Sequence, residues 1–312
     1  MSVLALVSPP IQTISDLVAV FLCDVNQRAA RAGPGSLATV TAQNYCYQLN
    51  AFAGAFGKCL LRDCGQHDLT RWLAANPQWE SLHTRLSNIR SILTCFRWAV
   101  DEGLIKACPY KMPKQLRGQA SETRRPATKD EFEALMEWAK PRVRTAIEFV
   151  YLTGCRTCEM RALKWSDLRL EGQAPHVVLL EHKTVKQTGL PRVFALCERA
   201  VALLGEIRAK SRSEYVFVNC VGDPWTKSAF CHNFLNTARR AGLDDGIIKR
   251  VSCYCFRHTY AVDAIKMGVT ADAVSKQLGN SREIVERVYA SHVGRDLIFV
   301  AGVAKRIADG RK

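Results

Sequence analysis

Tyr254-Cys255-Phe256-Arg257-His258-Thr259-Tyr260 is the stretch from which this chain is read most directly. Ser252 stands where an N-cap belongs, so the pattern predicts a helix opening across these residues. Three further segments belong with it. Thr153-Gly154-Cys155-Arg156-Thr157-Cys158-Glu159-Met160 puts an arginine just after a glycine, where a new helix begins. Its guanidinium then sits beside free backbone N–H groups, a good seat for a phosphate. Glu181-His182-Lys183-Thr184 places a lysine at the end of a strand, before a hairpin turn. Leu278-Gly279-Asn280 precedes Ser281, which is placed to cap a helix carrying Tyr289. Taken singly, each basic residue reads as ordinary surface. The four segments gain meaning only as a set.

Outward from them, the chain divides in two. From Thr13 to Leu104 the periodicity is helical. Ser15 and Asp16 are placed to cap a first helix with Leu17, Val20, Phe21 and Val25 on its apolar side. It ends before the turn Gly33-Pro34-Gly35-Ser36. A second helix carries Val40, Tyr45, Leu49 and Phe52, and a short third one follows Asp68 and stops at Pro77. In the fourth, Leu82, Leu86, Ile89, Leu93, Phe96 and Val100 recur at three- and four-residue steps up to Gly103. Arg85, Arg90 and Arg97 fall largely off that stripe; singly they are a solvated face, as a set they are candidate phosphate contacts.

Between Met112 and Thr128 the apolar period vanishes, so residues 112–127, including Arg124 and Arg125, form the expected basic linker. A second domain, 128–312, opens at Thr128, whose spacing to Glu131 is a capping-box pattern. It continues with a helix over 143–152 and strand-like runs at 176–181 and 192–196, joined by a polar segment containing Gly189. Helices follow to the end, the last over 297–308. The expected fold is mainly α, with a small antiparallel β-sheet in the C-terminal domain.

Composition agrees with this division. A chain of 312 residues has room for two domains of roughly 150 residues each. With 48% hydrophobic residues it has material for real cores, which excludes a disordered chain. The 44 Lys+Arg against 29 Asp+Glu give +15, which favours a polyanionic partner, DNA or RNA ahead of an acidic membrane surface. No run of about 18 apolar residues marks a membrane span. The opening MSVLALVSPP lacks the cationic start and small-residue site of a signal peptide. The 13 cysteines, odd in number and scattered through helices, suit reduced thiols. The expectation is a cytoplasmic, nucleoid-associated protein with no membrane partner.

In order and pattern the four segments resemble the tyrosine recombinase (phage integrase) family, and the resemblance covers nearly the whole chain. The family's order is Arg…Lys…His-x-x-Arg…His or Trp…Tyr, behind a helical domain and a basic linker. Phe256-Arg257-His258-Thr259 matches its L-R-H-T core, and Arg156 with Glu159 matches its R-x-x-E pattern. The resemblance implies a two-domain DNA clamp, with 12–111 a SAM-like core-binding domain and 128–312 the catalytic domain. It makes Tyr289 the nucleophile, Arg156 and Arg257 the phosphate-binding pair and Lys183 the general acid, with Glu159 and His258 in support. Tyr254 and Asn280 stand where the family has His, and His or Trp. Both can hydrogen-bond a phosphate oxygen, and neither is a near-neutral acid or base.

The implied activity is cleavage and rejoining of double-stranded DNA through a 3′-phosphotyrosine, with no cofactor and no metal. A homotetramer on paired sites would carry it out, with accessory DNA-bending proteins. The residue types suit that chemistry. A phenol of ordinary pKa about 10 must lose a proton, and two guanidiniums favour the phenolate and stabilise transition-state charge.

Other readings stand beside this one. The departures at Tyr254 and Asn280 suit a DNA-binding regulator that kept the fold and lost the reaction; intact Arg156, Lys183, Arg257 and Tyr289 speak against it. A type IB topoisomerase-like relaxase shares the nucleophile chemistry without needing paired sites. A metal-dependent nuclease needs converging carboxylates, and Asp244-Asp245 reads as a loop. A zinc site would need Cys155, Cys158, Cys253 and Cys255 to converge. As thiols flanking Arg156 and Arg257, these cysteines are also candidates for oxidative inhibition. The last helix, with Leu297, Val300, Val303, Ala304 and Ile307 on one side, suits packing on its own domain or on a neighbouring subunit.

Overall fold

Capping chemistry sets where the helices begin. Thr13, rather than Ser15 or Asp16, caps the first. Its Oγ1 accepts from the Asp16 N–H at 3.2 Å, while Asp16 Oδ2 accepts from the Thr13 N–H at 2.9 Å. Asp16 is thus the reciprocal partner of the cap, one turn inside the helix. The computed structural model describes residues 11–31, 33, 35–116, 125–181, 189–243 and 251–293, with the backbone alone at 287 and 289–293. The chain forms two compact units, Met1–Glu122 and Thr123–Lys312.

In the first unit, α1 (Ile14–Ala30), α2 (Thr39–Phe56), α3 (Gln66–Ala74) and α4 (Leu82–Asp101) bury Leu17, Phe21, Leu49, Phe52, Ile89 and Phe96 in one core. α3 starts ahead of Asp68, against the sequence expectation. Asp68 accepts from the Gly65 N–H at 2.9 Å, so it serves from inside the first turn. Tyr110 and Leu116 are buried in the same core. The segment read as linker therefore begins as part of the first unit's packing.

The second unit holds α5 (Lys129–Trp138), α6 (Pro141–Thr153), α7 (Thr157–Ala162), α8 (Glu198–Arg208), α9 (Lys227–Arg240), α10 (Cys253–Lys266), α11 (Ala271–Leu278) and α12 (Arg282–Val293). Between α7 and α8 lies a sheet of β1 (Leu168–Arg169), β2 (His176–Leu179) and β3 (Arg192–Ala195), antiparallel in that order. β2 ends before Glu181, and β1 is too short to leave a period in the sequence. Val177 pairs with Phe194, and both point into the core. Alternation along β3 puts Arg192 on the same buried face as Phe194.

α6 and α10 are the central pair, burying Phe149, Val150 and Phe256, with Phe132 of α5 stacked on Tyr151 at 3.9 Å. A smaller cluster, Ala261, Val262, Val274, Leu278 and Val285, joins α10, α11 and α12. Among the described residues, no helix is long and apolar enough to cross a membrane.

Thr128 and Glu131 form the capping box that opens α5, and Arg125 adds a two-pronged contact to the Glu131 carboxylate. Arg125 and the Thr128 N–H hold that carboxyl below its ordinary 4.5. A group with a lowered folded pKa stabilises above its unfolded value and loses that contribution as pH falls through the folded value. Glutamine keeps the capping contact but not the charge, so Glu131→Gln should lower stability at neutral pH by about 0.2–1 kcal/mol, the worth of a partly exposed ion pair. In urea titrations the deficit should shrink to nothing as the pH drops below the carboxylate range. A deficit that stays constant into acid would refute this.

Candidate active site

The site is built where α6 ends. Gly154 closes α6 at φ +65°, and a Cβ there would lie 2.7 Å from Leu278 Cδ2 and 2.9 Å from Tyr260 Cγ. Only glycine fits both that backbone and that approach. Its carbonyl accepts from Arg257 Nη1 at 2.8 Å. Arg156 follows as the N-cap of α7, and Glu159 holds it twice. The carboxylate accepts from the Arg156 backbone N–H at 2.9 Å and from Nη1 at 2.7 Å.

The other half of the site is the C-terminal turn of α11. Gly279 at φ +62° lets the Asn280 N–H reach back to Ser275 O at 3.1 Å and its own N–H to Lys276 O at 3.2 Å, the Schellman pattern. The last carbonyls of the helix are then met by guanidiniums. Arg192 donates to Lys276 O at 2.7 Å and to Gln277 O. Arg257 Nη2 donates to Leu278 O, and Arg156 Nη2 donates to Gly279 O, each at 2.5 Å. Both arginines also converge on Asn280 Oδ1, at 3.0 Å from Arg156 and 2.9 Å from Arg257. Guanidiniums only donate, so the amide must turn its oxygen to them, leaving two N–H bonds of Nδ2 to give.

Three guanidiniums face one carboxylate here. Arg257 and Glu159 are buried, and 16% of the Arg156 side chain is open. Burial, then the like charge of Arg156, pulls Arg257 below its ordinary value; burial brings Arg192 down to about 10. Both stay cationic at neutral pH. Surplus positive charge held out of water, with donors preset, is a seat for an oxyanion.

Tyr254 lies in the first turn of α10, half exposed, its ring edge-on to His258 at 5.0 Å. His258 is buried, in keeping with a packing role. Residue 289 lies within α12, the helix that follows Asn280. Lys183, Arg124, Asp244, Asp245 and the helix expected over 297–308 fall outside the described residues. Among the arginines of α4, Arg85 donates to Trp79 O, while Arg90 and Arg97 are exposed. Arg90 lines a polar groove with Asn44, Gln48 and Ser87. Within it Gln48 Nε2 donates to Ser87 Oγ at 2.9 Å and Ser91 donates to Gln48 Oε1. Arg125 is held by Glu131 rather than left free for a ligand.

The sequence reading missed Arg192 and Gln277. Gln277 ties α11 to β3, accepting from the Ala195 N–H at 2.9 Å and donating to Ala195 O at 3.1 Å. A charged residue in phase with buried Phe194 was the available signal for Arg192. Among the described residues no group of His, Cys, Asp or Glu is arranged to hold a metal ion. Cys158 is exposed while Cys155, Cys253 and Cys255 are buried. Burial pushes Cys155 up to about 12 and Cys253 well above its ordinary value. Burial thus makes the thiolate that oxidation requires scarce at these two of the four cysteines considered for oxidative inhibition.

Chemically, guanidiniums are gathered at a helix C-terminus that is followed directly by a helix containing residue 289. Sequence comparison gives it a family. The chain belongs to the phage integrase family, whose model matches residues 126–293, the tyrosine recombinases. It is 25% identical over 253 residues to the tyrosine recombinase XerD of Bifidobacterium longum, covering 75% of this chain and 79% of that protein. Its fold is that of a lambda integrase dimer bound to a COC′ core site, with a TM-score of 0.71, 18% identity, and coverage of 91% of this chain and 79% of that one. A lambda integrase tetramer bound to a Holliday junction matches with a TM-score of 0.66 and 17% identity, over 88% and 76% of the two chains.

The Asn280 junction yields a sharp test. Asn280→Asp puts a carboxylate between two guanidiniums, so the variant should melt no lower than the parent. It should also lose the rise in melting temperature that millimolar phosphate gives the parent at constant ionic strength. Equal phosphate stabilisation in both proteins would show that the anion sits elsewhere.

Proposed function

We propose that this chain is a site-specific DNA recombinase that cuts and rejoins strands through a 3′-phosphotyrosine on Tyr289. The observation that carries the reading is the convergence of Arg156 and Arg257 on Asn280 Oδ1, at the turn leading into the helix that contains residue 289. A scissile phosphodiester would dock with its non-bridging oxygens toward the two guanidiniums and Asn280 Nδ2, with the Tyr254 hydroxyl as a further donor. Tyr289 attacks phosphorus, its P–O bond forms, and the bond to the 5′-oxygen breaks. The phenol gives its proton to water, favoured by the two guanidiniums, and the leaving oxygen takes one from Lys183. One phosphodiester replaces another, so rejoining by a 5′-hydroxyl needs neither metal nor nucleotide. Proton delivery by such an acid is worth roughly 10²–10⁴ in rate. Loss of one preset donor costs about 2.7–4 kcal/mol.

The partner is double-stranded DNA, supported by the +15 charge and by the DNA-bound integrases that share the fold. We assign the polar groove of the first unit, with Arg90, to the duplex, with Arg85, Arg97 and Arg124 as weaker candidates; Arg125, paired with Glu131, drops out. A homotetramer on paired sites is the proposed assembly, by analogy with the lambda integrase tetramer on a Holliday junction; accessory DNA-bending proteins fit the same scheme. The proposed location is the cytoplasm, on the nucleoid. The replacement of histidine at Tyr254 and Asn280 favours one second reading, a regulator of the same fold with weakened chemistry.

The deciding experiment traps the covalent intermediate on fragments of the DNA surrounding the coding locus, without divalent metal, under denaturing quench. The parent should yield a protein–DNA adduct and Tyr289→Phe none, and sequencing the trapped fragment would identify the site. Tyr254→His should form the adduct faster, on the order of 10-fold. Tight DNA binding with no adduct would favour the regulator. Exchange between two marked duplexes, as against relaxation alone, separates a recombinase from a topoisomerase-like enzyme.

A further inference from the structure

Arg192 is buried at the head of β3, on the core-facing side of a strand where an aliphatic residue would be the cheaper choice. Its guanidinium is spent almost wholly on the phosphate seat. Besides the Lys276 and Gln277 carbonyls, Nη1 donates to Val193 O at 2.7 Å, and Nε lies 3.8 Å from Glu159 Oε1, the same oxygen that holds Arg156. The side chain lies flat on Gly279: a Cβ there would meet Arg192 Nε at 2.5 Å and Cδ at 2.8 Å. Arg192 thus touches both supports of the anion site, the turn that presents Asn280 and the carboxylate that aims Arg156. Gln277 and Ala195 fasten the other end of the same strand to the same helix.

We propose that Arg192 is a positioning residue for the reaction, locking the Asn280 turn and Glu159 to strand β3 so that Arg156 and Arg257 meet the same phosphate. This rests on the recombinase reading above. A lysine at 192 would keep the charge but replace a planar fork by a single ammonium, which cannot span two carbonyls and Glu159 together.

The test uses the full chain and a nicked duplex carrying the site recovered by trapping, made once as the ordinary phosphodiester and once with a methylphosphonate at the scissile position. The methylphosphonate lacks the anionic oxygen that the seat serves. With Arg192→Lys, DNA affinity should stay within about twofold and adduct formation on the phosphodiester should slow by about 10- to 100-fold, the scale of a misplaced catalytic group. On the methylphosphonate the loss should be under about threefold. Phe194→Leu is the structural comparator, since its ring packs in the same core and lies 5.0 Å from the Arg192 guanidinium. A role in folding alone scales both substrates equally, as Phe194→Leu should. Arg192→Lys matching that equal scaling, or cutting at the parental rate, overturns the positioning role while leaving the recombinase intact. If trapping yields no adduct with the parent on any fragment, the recombinase reading and this proposal fall together.

Discussion

The C-terminal end of α11 is the interaction on which the second unit's chemistry depends. A helix leaves its last carbonyls without intrahelical partners and carries the negative end of its dipole there. In this chain the carbonyls of Lys276, Gln277, Leu278 and Gly279 are answered by three guanidiniums from three separate elements: β3, α10 and the start of α7. Buried arginines repel one another and lose hydration, and each alone would be a liability. The helix end supplies concentrated negative potential without a carboxylate that would neutralise the site. The arginines are therefore satisfied as donors and remain in surplus as charges.

That arrangement explains the two glycines with left-handed backbone around it. Gly154 turns the chain from α6 to Arg156 while its carbonyl receives Arg257. Gly279 turns α11 toward Asn280 while its Cα carries the flat face of Arg192. A side chain at either position would push apart the layers that must touch. Glu159 completes the set by orienting Arg156 from below, buried and shared with Arg192. Asn280 then fits the same logic. Standing where histidine or tryptophan is usual in the family pattern, it offers one acceptor to two cations.

Much of this was legible in the chain, and the reasons differ by element. The helices α4 and α5 follow from a long apolar stripe and from a reciprocal capping pair, both local signals. The helix-start settings of Arg156 and Arg257 could be read from their local sequence. Other features were not local. β1 is two residues held by pairing with β2, too short to carry a period. Thr13 outcompeted Ser15 and Asp16 because the Asp16 side chain turned back to the Thr13 N–H, a choice that composition cannot rank. Leu116 joined the first core although its neighbours are polar, so the segment read as linker started too early.

The sequence by itself determined the two-part organisation and the mainly helical class with its small sheet. Periodicity, capping pairs and residue chemistry act over a few positions, and a linear reading captures them. Only the tertiary structure decided which cations meet and what holds them together. Arg192 is far from Glu159 and Gly279 along the chain, and its meaning comes from strand β3 lying against the end of α11. Helix ends and buried charges satisfy each other across space, and that matching leaves no period in the sequence.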